Sequence, residues 1–229
     1  MRGVLNSMDV RLLVQTDERK PTVILLLSTL LVTLHSYFGS TKFALRELHA
    51  AGPLQAAAYM FVAAFLALGA LPALVIVGFG ERLRDYGVRL GDWKTGLEAV
   101  LVLFPVIAAL LLYPASQTSE MRAFYPLAPQ LLPLELLRVA LFYTAWEFFF
   151  RGFLLFGLRR RTGDWMAICI QTVPSCLWHI GCPSGEILSA IAGGVLFGLL
   201  AIRTKSILWP FLLHCLIGIG LDVLIVVTK

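Results

Sequence analysis

Long stretches of this chain contain no Asp, Glu, Lys or Arg. Such charge-free runs cover residues 21–41, 48–80, 99–119 and 165–185. A helix that crosses a bilayer needs roughly 20 mostly apolar residues. Two shorter runs, 187–202 and 206–221, reach that length with the residues at their edges. A seventh segment, about 136–158, is long enough but carries Arg138, Glu147 and Arg151. The pattern predicts an all-α polytopic bundle of seven transmembrane helices, or eight if 48–80 breaks near Pro72. The connecting stretches 80–97 and 114–134 are too short to fold alone, and no repeat or low-complexity tract is visible. The expectation is one membrane domain over 1–229.

Composition agrees with that pattern and narrows the class. Of 229 residues, 59% are hydrophobic and only 14% charged, with a mean hydropathy of +0.82. Soluble domains are about a quarter charged. A soluble protein of this size could not hide so much apolar surface. Four cysteines (Cys169, Cys176, Cys182, Cys215) form no C-x-x-C pair, which argues against a disulfide framework or a zinc knuckle. The net charge of +5 lies in the connections between spans, so it points to a membrane surface and not to nucleic acid. Taking alternate connections together, 13 basic residues fall on one side: Arg2, Arg11, Arg19, Lys20; Arg82, Arg84, Arg89, Lys94; Arg159, Arg160, Arg161; Arg203, Lys205. Four fall on the other: Lys42, Arg46, Arg122 and Lys229. By the positive-inside rule the N-terminal segment 1–20 is cytoplasmic and the C-terminus lies outside. The Arg159–Arg161 run reads as an orientation signal. The first twenty residues are too polar for a secretory signal peptide, and the expected location is a plasma (inner) membrane.

Ionisable side chains in a hydrocarbon layer cost at least ~2.5–3.5 kcal/mol each, so each needs a partner or a purpose. Glu147 and Arg151, four residues apart, share a helix face and can pair. At 1.5 Å per residue, Glu147 lies about 16 Å and Arg151 about 10 Å from the cytoplasmic end of their span. His179 lies about 21 Å, and His214 about 12 Å, from the cytoplasmic starts of theirs. A carboxylate, a cation and two imidazoles therefore reach comparable depth on three helices. His35, alone in the first span, reads as a packing residue. Water activation is the chemistry open to the set. A carboxylate acts as general base, an imidazole relays the proton, and a second imidazole or an arginine stabilises an oxyanion. Two histidines and a glutamate also have the donor types of a catalytic zinc site. No close pair such as H-E-x-x-H occurs, so the expectation is a reaction without a required metal, with zinc at Glu147/His179/His214 the minority alternative.

Several motifs in order carry a resemblance. They are Trp146-Glu147-Phe148-Phe149-Phe150-Arg151-Gly152, Ser175-Cys176-Leu177-Trp178-His179, the glycine-containing Gly193-Gly194-Val195-Leu196-Phe197-Gly198, the turn Arg203-Thr204-Lys205-Ser206, and Leu213-His214. The lead-in Tyr86-Gly87-Val88-Arg89-Leu90-Gly91-Asp92-Trp93 fits the same pattern. Over about residues 85–222 the chain resembles the CAAX prenyl endopeptidases and their bacterial relatives, the CPBP (CAAX protease and bacteriocin-processing) intramembrane proteases. The resemblance implies a helical membrane bundle that hydrolyses peptide bonds, including those next to prenylated cysteines. A glutamate and the first histidine activate water there, and the second histidine with an Asn binds the oxyanion. By matching position Glu147 is the family's second glutamate, Arg151 its arginine, His179 its first histidine and His214 its second. The chain departs at three places: Trp146 stands for the first glutamate, Ser175 for a phenylalanine, and Gly218 for the Asn or Asp after His214. Asp222 lies about 12 Å along the helix axis from His214 and does not replace it.

The expected function is an intramembrane endopeptidase acting on a peptide or lipidated-protein substrate in the bilayer. Glu147 serves as base or orienter, His179 as proton partner, His214 as oxyanion donor, and Arg151 as the charge that holds Glu147. The rival is a family member that no longer hydrolyses and serves as a membrane partner, immunity or scaffold protein. A transporter is disfavoured, because no two halves carry matching interrupted helices.

Overall fold

The computed structural model describes residues 16–125 and 132–228. The expected cytoplasmic residues Arg2 and Arg11, and Lys229 at the other end, lie outside them. Among the described residues nine helices follow in order: α1 (Thr16–Phe38), α2 (Thr41–Arg46), α3 (Pro53–Gly78), α4 (Trp93–Ser116), α5 (Ser119–Phe124), α6 (Pro133–Thr162), α7 (Asp164–Trp178), α8 (Ser184–Thr204) and α9 (Leu208–Val227). Six of them, α1, α3, α4, α6, α8 and α9, are long and apolar enough to cross a membrane. The molecule is a polytopic helical bundle.

Two expectations about the spans change. The segment 165–185, expected as one span, is helical only to Trp178, and α7 has 15 residues, about 22 Å. The turn at 179–183 then reverses the chain into α8. The alternative of an eighth span, which needed a break near Pro72, does not hold, since one helix runs from Pro53 to Gly78. Pro72 lies just beyond a π turn at Phe65–Ala70 inside this continuous helix, and α3 runs on to Gly78.

Helix α6 is the axis of the bundle. In its most apolar stretch 72% of residues are buried, against 17–33% in the other five long helices. Phe149, Phe150, Phe153, Leu154, Leu155 and Leu158 of α6 pack with Ile24 and Leu31 of α1, Leu68 and Ile76 of α3, Ala167 and Ile168 of α7 and Ala201 of α8. A second cluster joins Val100 of α4, Phe197 and Leu200 of α8, and Trp209 and Leu213 of α9. Large apolar side chains such as Leu26, Leu74, Leu101, Leu110, Val173 and Leu188 face outward, which suits a surface solvated by lipid.

Hydrogen bonds between helix ends fix the up-and-down order. At one end Lys20 of α1 donates to Glu81 just beyond α3, and Arg161 of α6 pairs with Glu18. At the opposite end Ser184 of α8 bonds Glu120 of α5, and Gln117 beyond α4 reaches Thr228 beyond α9. α7 and α8 approach closely because Gly194 leaves room for Thr172: a Cβ on Gly194 would sit 2.6 Å from the threonine methyl. In the space so left, Gln171 Nε2 donates to the Gly194 carbonyl at 2.8 Å.

Candidate active site

Glu147 is fully buried at the middle of α6, and two nitrogen donors reach its Oε1. Arg151 Nη1 donates at 3.2 Å from one turn further along α6, and His214 Nδ1 of α9 lies at 2.7 Å. A carboxylate only accepts, so His214 Nδ1–H donates. Oε2 of Glu147 is buried without a hydrogen-bond partner among the described residues. Arg151, only 2% exposed, also lies over the Phe197 ring, 5.1 Å from its centroid. From Phe148 to Phe156 the helix winds as a π-helix, an arrangement that recurs at functional sites.

His179 stands apart from that cluster, as the residue that closes the C-terminal end of α7. Its Nδ1 is 2.7 Å from the Ser175 carbonyl. A carbonyl accepts, so Nδ1 carries the proton and Nε2 keeps its lone pair. Trp146 stands edge-on to His179 with ring centroids 5.6 Å apart, inside a cage of Phe142, Phe150 and Trp178. Consecutive residues of α6 thus each meet a different histidine: Glu147 bonds His214 and Trp146 packs on His179.

A second carboxylate completes the surroundings of His179. Glu186, in the first turn of α8, places Oε1 3.8 Å from His179 Nε2. Tyr125 donates its hydroxyl to the same carboxylate, 3.0 Å from Oε1 and 2.9 Å from Oε2. Burial, reinforced by the Glu186 charge, raises the Tyr125 phenol above its ordinary range and keeps it a donor. α5 holds this tyrosine in place, because Glu120 bonds both the backbone and side chain of Ser184 at the start of α8. Cys182, also beside Glu186, has its thiol pushed up to about 12 by burial and then by that charge, which removes it as a nucleophile at neutral pH. Sequence reasoning missed Glu186 and Tyr125. Glu186 belongs to no motif, and its signal was a carboxylate seven residues after His179, just across a Gly-Cys-Pro turn.

The remaining candidates divide between site and scaffold. A Cβ on Gly218 would lie 1.9 Å from the Tyr143 hydroxyl, so that phenol fills the space below the turn after His214. The Tyr143 ring packs on His214 at 4.7 Å. Asp222 is engaged elsewhere: it pairs with Arg138 at 2.8 Å, and Arg138 also meets Glu135 at 2.7 Å. His35 is buried and stacks on Trp178 at 5.9 Å. Among the described residues no three His, Cys, Asp or Glu side chains gather as a metal-binding group. Glu147 and His214 do meet, with Arg151 as their third partner.

No curated protein and no solved structure matches the chain at significant similarity. The stretch that bears Glu147, Arg151, His179, Glu186, His214 and Gly218 does match a family of membrane peptidases: residues 129–219 fit the family model for the Rce1-like type II CAAX prenyl endopeptidases.

Proposed function

We propose that the protein is an intramembrane endopeptidase of the CAAX type that hydrolyses a membrane-associated peptide, and that Glu186 replaces the carboxylate lost at Trp146. The observation that carries this reading is the 3.8 Å between Glu186 Oε1 and His179 Nε2. That spacing is too long for a direct hydrogen bond, and a polar gap of this kind is often bridged by water. Both groups accept. A water between them gives one proton to Nε2 and directs the other to the carboxylate, leaving its lone pairs free to attack. His179 takes a proton as the oxygen adds to the peptide carbonyl, and returns it to the leaving amine. Tyr125, whose O–H is shared between both carboxylate oxygens, holds Glu186 in place for this.

The Glu147 cluster serves the other half of the reaction. Arg151 and His214 are both anchored on Glu147 Oε1 in a buried site. An oxyanion forming on the attacked carbonyl would be met by the Arg151 guanidinium and, with a proton on its second ring nitrogen, by His214, which makes both worth more in the transition state than before it. Glu147 is the orienter of both. The reaction needs no metal in this scheme. The proposed topology places the Arg159–Arg161 end in the cytoplasm, as the distribution of basic residues implies.

One observation favours a second reading. A tryptophan at the first glutamate position, sealed in an aromatic cage, is what a non-catalytic relative serving as a membrane partner would also carry. Purified protein in lipid nanodiscs, given a farnesylated peptide and its unmodified twin with and without chelator, separates the two. Cleavage that survives chelator supports the peptidase. Folded protein that cleaves neither peptide supports the non-catalytic reading, and chelator-sensitive cleavage contradicts the metal-free scheme.

A further inference from the structure

At the Arg159–Arg161 end of the bundle, well away from both histidines, four cations ring one concave space. Arg84, Arg89, Arg203 and Lys205 line a pocket of about 480 Å³ together with Leu90, Gly91 and Asp92. That volume lies within the range of small-ligand sites. Asp92, the single acid of the set, is already committed: it caps α4 by accepting from the Thr95 backbone N–H at 3.2 Å and the Thr95 hydroxyl at 2.8 Å. None of the four cations has a carboxylate partner among the described residues.

The pocket is held rigidly. The loop 87–92 is tied to the end of α8 by Asp92 N–H to the Thr204 carbonyl at 2.8 Å, Arg89 Nε–H to the Lys205 carbonyl at 2.7 Å and Ile207 N–H to the Gly87 carbonyl at 2.9 Å. Trp209 Nε1–H donates to the Leu90 carbonyl at 2.9 Å. The contact is so close that only glycine fits at 91: its φ is +63°, and a Cβ there would lie 2.1 Å from the Thr204 carbonyl oxygen. Lys205 itself adopts φ +55° at the end of α8, a left-handed position that glycine usually fills. Orientation in the membrane requires positive charge on this side, but it does not require four cations converging on one concavity. Nor does it require a lysine where the backbone prefers glycine.

We propose that this pocket binds a phosphate group at the membrane surface. Its level agrees, because Trp93 at the start of α4 and Trp165 at the start of α7 are exposed at the same end, where interfacial tryptophans mark the headgroup layer. Anionic lipid headgroups are attracted by about 1 kcal/mol per basic residue near the surface. A lipid phosphate and a free phosphate offer the same chemistry to the four cations.

Full-length protein in detergent tests the site by native mass spectrometry with phosphatidic acid, phosphatidylcholine or inorganic phosphate as probe. Wild type is expected to retain one phosphatidic acid or one inorganic phosphate in preference to phosphatidylcholine. Retention of the lipid alone identifies the bilayer as the source, and retention of inorganic phosphate identifies a soluble anion. Arg203→Gln with Lys205→Asn, which keeps a residue tolerant of the left-handed conformation, should weaken that binding about tenfold or more. Arg84→Gln, which changes a side chain that makes none of the loop's hydrogen bonds among the described residues, should weaken it in the same direction. Arg160→Gln, on the same end but outside the pocket, should leave it unchanged. No preference of wild type for either anionic probe, or equal weakening by Arg160→Gln, overturns the site.

Discussion

Glu186 Oε1 stands 3.8 Å from the Nε2 of His179, while Nδ1 of the same ring is spent on the Ser175 carbonyl. The lone pair that remains on His179 therefore faces a carboxylate, and neither can satisfy the other without a shared proton donor. Tyr125 holds that carboxylate with a single O–H shared between its two oxygens. Tyr125→Phe should leave the bundle folded and lower kcat by about ten- to a hundredfold, the worth of hydrogen bonds to a charged group. Steady-state kinetics beside a thermal unfolding curve checks it. An unchanged kcat would detach Tyr125 from the reaction.

The buried pair on α6 makes a different demand. Glu147→Gln leaves Arg151 in the core without its counter-charge, a loss of about 3–5 kcal/mol for a buried ion pair broken on one side. Adding Arg151→Met removes the stranded cation, so most of the lost stability should return. Turnover should not return with it, because the orienter of His214 is still missing. Thermal stability and kcat measured on both variants separate the structural part of Glu147 from the functional part.

Gly218 is a packing constraint set by Tyr143. Gly218→Ala should destabilise the protein by about 1–3 kcal/mol through overpacking against the phenol. Tyr143→Leu in the same chain should relieve the clash. Melting temperatures of the two variants decide it, and a Gly218→Ala protein as stable as wild type would mean that α6 and α9 can move apart here.

A pH effect is expected at the Arg159–Arg161 end. Burial disfavours an ionised Glu81, but hydrogen bonds from Lys20 and Tyr86 and the Lys20 charge outweigh it and hold the carboxyl below its ordinary 4.5. A carboxyl depressed by folding contributes stability above its unfolded pKa and loses it as pH falls through the folded one. Glu81→Gln should therefore melt below wild type at neutral pH, and the gap should close below pH 4.5. A gap independent of pH would remove the ionised carboxylate as its cause.

The sequence made the bundle legible because charge-free runs of membrane length leave few alternatives. It overran where a run continued past a helix end: residues 179–183 are uncharged yet form the turn between α7 and α8, so the helix is shorter than its run. Pro72 offered a possible break, but it follows a π turn within one continuous helix, Pro53–Gly78. The pairing of Glu147 with Arg151 followed from a four-residue spacing on one helix. The bond from Glu147 to His214, 67 residues away, required the packing of α6 on α9. Glu186 was overlooked because its one signal, a place seven residues after His179 across a turn, belongs to no motif, and the motif pointed to position 146 instead.

The turnover of Glu186→Gln on a peptide that wild type cleaves, measured in nanodiscs with the unfolding curve of the same preparation, bears most directly on the proposed site. A loss of about 10²–10⁴-fold with an unchanged melting temperature is the expected result for a base that activates water. Full turnover in Glu186→Gln would contradict it, leaving His179 without a carboxylate and the tryptophan at 146 without a substitute.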